Sequence, residues 1–129
     1  MQPLVSLDAE PYWEGLRSGR LLVQRCGICG AHRHYPRPMC PACHSFEVQW
    51  EPVAGDGTVH SWTVVHRSAL AGFAEAVPFT LVTVDLPESV RMLGLLIDAG
   101  SSALRIGATV HAAVQAGPAG VFQPVFRLT

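Results

Sequence analysis

Lysine and asparagine are both absent from this chain of 129 residues, and its nine basic side chains are all arginine. Without lysine, Schiff-base chemistry is closed to it. The bias towards arginine accompanies abundant Ala, Gly and Pro, a composition that a GC-rich genome explains, so it carries little functional weight. Charge is scarce as well. Only 15% of residues are charged, against about 25% in an average soluble domain. A chain this short cannot bury every apolar residue it carries, which leaves apolar surface for another protein or an apolar ligand. No run approaches the ~20 apolar residues of a membrane helix. The first residues, MQPLVSLDAEPYWEGL, lack the basic stretch and apolar core of a secretory signal. The expectation is therefore a cytoplasmic protein with reduced thiols and no membrane segment.

Familiar catalytic signatures are missing too. There is no G-x-S-x-G, no H-E-x-x-H and no phosphate-cradling glycine loop. His60, His66 and His111 fall inside strand patterns, where a structural histidine is the simpler reading. Asp85 and Glu88 lie near a turn and form no evident acid/base pair.

What is present is concentrated. All four cysteines lie in RCGICGAHRHYPRPMCPACHS, as C-x2-C, ten residues, then C-x2-C. Each C-x2-C curls its backbone so that two thiolates face one centre. Gly30, just after the first pair, permits the tight turn, and Pro41 stiffens the second. Four thiolates from two strand-flanked turns predict a closed structural Zn2+ site on Cys26, Cys29, Cys40 and Cys43. Iron fits the same cage, but zinc is the default without a further redox signature. A thioredoxin-like dithiol would need a single pair at a helix start in an α/β pattern, which this chain lacks. His32, His34 and His44 are surplus to a filled site and read as surface or supporting groups. The metal acts as a staple for a segment too small to own a core.

Charge is segregated behind a net value of −1. Residues 1–14 hold three acids and no base, whereas Gly15 to Phe46 holds five arginines, three histidines and no acid. That basic patch is a seat for phosphates or an acidic partner, or else a solvated face. Before it, Asp8 is placed to cap a helix running to about Ser18, with Pro11 in the first turn and Gly19 as the stop. Tyr12, Trp13 and Leu16 fall on one side of it, to dock on the chain's own core or on another subunit. Strands are expected at Leu21–Arg25 and Glu47–Glu51, with a joint at Pro52 to Gly57. Five more follow: Thr58–His66, Phe79–Leu86, Val90–Asp98, Thr109–Gln115 and Val121–Leu128. Short strands with Gly/Pro punctuation argue for a small β-barrel or sandwich. Two longer connections, Arg67–Pro78 and Gly100–Gly107, interrupt them.

The ordered set R-C-x2-C-G, Y-P-R, C-P-x-C, Trp50, the Gly55–His66 stretch G-x-G-x-V-x-S-x-T-V-V-H, a G-F loop, P-F and the L-x-I-G-x-x-V of Leu104–Val110 resembles one family. These are the zinc-ribbon plus OB-fold acyl-CoA-associated proteins, long catalogued as a domain of unknown function. The likeness runs from about Tyr12 to the C-terminus. It implies a mainly β fold with three parts: an N-terminal helical segment (1–20), a rubredoxin-like zinc ribbon (21–53) and a five-stranded OB-fold barrel (54–129).

The same resemblance implies a non-catalytic accessory subunit, not an enzyme on its own. Such a subunit binds or helps present acyl-CoA and scaffolds a thiolase-like (aldolase or acyltransferase) or MaoC-like hydratase partner. Steroid side-chain degradation is among the pathways where members occur. Carried over residue by residue, the four cysteines match the ribbon ligands. The loop after V-V-H keeps Gly72-Phe73 but has Ala71 where a proline is usual, and Phe79 stands where a tyrosine is usual. Arginine forks suit the phosphates of CoA, which points to Arg33, Arg37 and Arg67. An apolar loop containing Leu70 and Phe73 suits its acyl arm, and Tyr12, Trp13 and Leu16 suit a subunit contact. A nucleic-acid-binding ribbon/OB module is the rival reading, opposed by the net charge and the lack of interleaved basic and aromatic residues. A small thioesterase-like enzyme is the other, weakened by the missing nucleophile.

Overall fold

The computed structural model describes residues 7–68, 78–97, 104–117 and 120–129. A 3-10 turn at Leu7–Ala9 leads into helix α1, Glu10–Arg17. The expected cap is displaced: Asp8 lies in the 3-10 turn, and Ala9 occupies the N-cap without a side-chain hydrogen bond. Pro11 sits in the first turn, where its missing N–H costs nothing. Gly19, at φ +77°, reverses the chain in the left-handed region that other residues avoid.

Two sheets follow. The first has the order β2–β1–β3, built from β1 (Leu22–Cys26), β2 (His32–Arg33) and β3 (Val48–Pro52). All its pairs are antiparallel, with Gln24 opposite both Arg33 and Trp50. The second is a closed barrel of β4 (Asp56–Val65), β5 (Phe79–Asp85), β6 (Arg91–Leu96), β7 (Thr109–Ala116) and β8 (Phe122–Leu128). Its order is β4–β5–β6–β8–β7, closed by the β4–β7 ladder. The β6–β8 pair is parallel and short, Leu95–Leu96 against Val125–Phe126. β4 serves both sides of the closure, pairing with β7 over Asp56–Thr58 and with β5 over Thr58–Val65, with a register shift between Val59 and Ser61. No helix among the described residues is long and apolar enough to cross a membrane.

Alternation along the strands supplies the core. Val82 and Val84 of β5, Met92 of β6, Val110 of β7 and Phe126 of β8 are buried, with Val59 beside them. Tyr12, Leu16, Leu21 and Val23 belong to the same cluster, so helix, ribbon base and barrel share one core. Each large apolar side chain removed from water this way stabilises the fold by roughly 1.5–3 kcal/mol. Gly94 makes room for the largest of them. A Cβ there would lie 2.5 Å from the Phe126 ring.

The burial of α1 corrects an expectation. Leu16 is 0% exposed and Tyr12 5% exposed, so both anchor the helix to its own chain and offer no surface to a partner. Trp13 is only partly buried against that core. The physical reason is that both side chains join Leu21 and Val23 and the barrel's Val59, Met92 and Phe126 in one apolar cluster.

Candidate metal centre

Both C-x2-C turns are built alike. In the first, the Cys26 N–H donates to the Ala31 carbonyl at 2.9 Å and the Gly30 N–H to the Cys26 carbonyl at 3.1 Å. In the second, the Cys40 N–H donates to the Ser45 carbonyl and the His44 N–H to the Cys40 carbonyl, each at 2.9 Å. The residue after each pair is left-handed: Gly30 at φ +77° and His44 at φ +63°. Glycine occupies that region freely, whereas histidine does so at a cost of about 1 kcal/mol.

These turns bring the sulfurs of Cys26, Cys29, Cys40 and Cys43 within 4.8 Å of one another. Across the two turns, Cys26 and Cys43 are 3.5 Å apart and Cys29 and Cys40 are 3.7 Å apart. Zinc–sulfur bonds of ~2.3 Å in a tetrahedron require sulfur separations of about 3.8 Å, so the cage fits the ion. Backbone N–H groups of Cys29 and Ile28 point at the Cys26 sulfur, 3.5 and 3.4 Å away, and lower its pKa to about 6. N–H groups of Cys43 and Ala42 likewise hold the Cys40 thiol below its ordinary value. At Cys43 the Ser45 N–H pulls downward, but the Cys26 thiol, burial and the other two thiols push it up to about 11. Mutual repulsion of crowded thiolates is what a divalent cation at their centre offsets. All four positions would be filled by sulfur, so the ion's chemistry here is structural cross-linking. His32, His34 and His44 lie outside the thiol cluster.

A charged clamp braces the first turn. Arg25 donates from Nη1 to Glu51 Oε1 at 2.7 Å and from Nε to the Gly30 carbonyl at 3.3 Å. His32 Nε2 is 2.9 Å from the other Glu51 oxygen. Hydrogen bonds from His32 and Arg25 hold the Glu51 carboxyl below its usual range. The pairing of Arg25 with Glu51 was not legible in the sequence, because their meeting depends on the β1–β3 register.

The arginines assigned to CoA separate. Arg33 is 6% exposed, and its Nη2 donates to the Arg37 carbonyl at 2.9 Å. A guanidinium so enclosed is no surface fork, which corrects that assignment. Arg37 and Arg67 are exposed, and Leu70 and Phe73 lie outside the described residues. Gln24, 2% exposed, was missed by sequence reasoning, and its Oε1 accepts the Arg37 N–H at 2.7 Å. Tyr35 was missed as well. Its hydroxyl accepts the Leu93 N–H at 3.1 Å, joining the ribbon to the stretch of β6 before its pairing with β8 begins.

The geometry agrees with comparison. Residues 13–49 match the family described as "ChsH2, rubredoxin-like zinc ribbon domain", and residues 50–115 match "ChsH2, C-terminal OB-fold domain". The chain belongs to the ChsH2 zinc-ribbon/OB-fold (DUF35) family. It is 33% identical over 107 residues to a "DUF35 domain-containing scaffold protein" of Pyrococcus furiosus, covering 81% of this chain and 76% of that one. It is 36% identical over 112 residues to the "3-oxo-4,17-pregnadiene-20-carboxyl-CoA hydratase alpha subunit" of Mycobacterium tuberculosis, covering 87% of this chain and 35% of the relative. The chain thus spans about a third of the length of the curated hydratase subunits it matches. Among solved structures it resembles a chain described as "Ltp2-ChsH2(DUF35) aldolase", with a TM-score of 0.88, 31% identity and 98% of both chains covered. For a DUF35-family ribbon the four-cysteine cage is the site of one structural zinc.

Proposed function

We propose that this DUF35-family chain is a non-catalytic accessory subunit that helps present acyl-CoA thioesters and scaffolds a thiolase-like, aldolase-type partner, with a MaoC-like hydratase as the alternative partner. One observation carries the reading: the full-length structural likeness to the DUF35 chain of an aldolase named with Ltp2. The hydratase names of two relatives support an acyl-CoA setting, and the first of those names a steroid-derived thioester. The chemistry of the chain is compatible. All four thiols are drawn into the metal cage, which leaves no cysteine nucleophile. Trp13, partly buried on α1, and the exposed Arg37 and Arg67 are candidates for contacts with partner and ligand among the described residues, and Leu70 and Phe73 stay candidates outside them.

Native mass spectrometry of the tagged protein, purified gently from its own host, tests this. The expected result is a complex with a thiolase-like or MaoC-like chain and one zinc per copy of this subunit. A lone zinc-loaded monomer would overturn the scaffold reading.

A further inference from the structure

Arg37 is held in an unusual way. Its N–H is captured by the side chain of Gln24 at 2.7 Å and its carbonyl by the guanidinium of Arg33 at 2.9 Å. The two captors are cross-strand neighbours on β1 and β2, and they are the buried polar side chains of the described residues, at 2% and 6% exposure. Pro36 and Pro38 flank the residue on either side and restrict the backbone further. Two enclosed polar side chains and two prolines thus fix the backbone of a residue whose own guanidinium stands in solvent.

The charge around it is one-sided. Among the described residues Arg33 has no carboxylate partner, and its Nε and Nη1 meet no acceptor. An enclosed, uncompensated cation is costly, and a nearby anion offsets part of that cost. No acid occurs in its own segment between Gly15 and Phe46, and Glu51, which reaches that segment from β3, is bonded to Arg25 and His32. Arg17 and Arg25, by contrast, are spent on Glu14 and Glu51.

We propose that Arg37 is an oxyanion receptor: its backbone is held by Gln24 and Arg33, and its solvent-facing guanidinium takes a phosphoryl group of a CoA thioester. A planar guanidinium suits a phosphoryl oxygen pair, and an already ordered backbone reduces the entropy lost on binding. This assignment rests on the acyl-CoA reading above, and it gives one of the two exposed arginines a specific role. The buried Arg33 acts as a positioning residue and a source of positive field.

The test measures binding of CoA, 3′-dephospho-CoA and pantetheine to the full-length, zinc-loaded protein by calorimetry at low ionic strength. CoA is expected to bind, with Arg37→Gln weakening it about tenfold and Arg37→Lys restoring part of the loss. Pantetheine, which has no phosphoryl group, is expected to be indifferent to either change. Loss of the Arg37 effect with 3′-dephospho-CoA places the contact at the 3′-phosphate, and its persistence places it at the pyrophosphate; either supports the assignment. Equal CoA affinity of wild type and Arg37→Gln, or no CoA binding by wild type, overturns it. A partner complex found by mass spectrometry alongside either negative result leaves the scaffold reading standing and removes only the receptor.

Discussion

His34 lies where the helix and the ribbon meet, and acid should loosen that joint. Its ring is 5.2 Å from Tyr12 of the helix and 4.1 Å from Tyr35 of the ribbon, measured between centroids. Neither ring nitrogen has a hydrogen-bond partner. Burial pushes its pKa down to about 4, and no carboxylate in the surrounding segment favours the charged form. An unfolded histidine titrates near ~6.5. Above that value the ring is neutral in both states and its titration adds nothing to the pH dependence. As pH falls towards 4, the unfolded chain takes up a proton that the folded chain refuses, so stability drops across that window. Working from these two values, the loss between pH 7.5 and pH 5 is about 2 kcal/mol. His34→Phe keeps a ring between the tyrosines and removes the titration. Urea unfolding followed by tryptophan fluorescence, for both proteins at both pH values, isolates the effect, since acid release of zinc is common to the two. The variant should match wild type to about 1 kcal/mol at pH 7.5 and exceed it by about 2 kcal/mol at pH 5. Identical acid sensitivity in the two proteins would refute the argument.

Other perturbations address the cage and the core. Cys29→Ser should lower bound zinc well below one per chain, by elemental analysis, and unfold the ribbon; full zinc and unchanged stability would sink the cage assignment. His44→Gly relieves the one non-glycine left-handed residue among the two metal turns, and should raise the unfolding free energy by up to about 1 kcal/mol without changing zinc content. Leu16→Ala should cost about 2–5 kcal/mol in the isolated chain. An unchanged chemical-denaturation midpoint would return that side of α1 to the role of partner surface. Gly94→Ala forces a methyl against the Phe126 ring and should destabilise the barrel by about 1–3 kcal/mol, checked by the same unfolding curves.

Particular elements separate what could be read from what could not. The metal site was legible because C-x2-C is a local signal. Within one turn the spacing dictates where two thiolates point, and ten residues suffice to bring two such turns together. The strands were legible for the same reason, since alternation along Phe79–Asp85 is a property of the strand itself. The two-residue β2 escaped notice, being too short to alternate. Asp8 failed as a cap because a 3-10 turn carried the chain one residue further before the helix began.

By itself, then, the sequence determined the thiol cage, the five barrel strands and the family likeness. All of these are read along the chain. Tertiary structure alone decided the partnerships. It buried Tyr12 and Leu16 in a core shared by helix, ribbon and barrel, because that core spans residues far apart in the chain. It separated arginines that look alike in the sequence: Arg33 enclosed, Arg25 clamped to Glu51, Arg37 held by its backbone with its side chain in solvent. Which guanidinium is covered depends on strand register and on what packs above it, and neither is encoded in any local stretch of the chain.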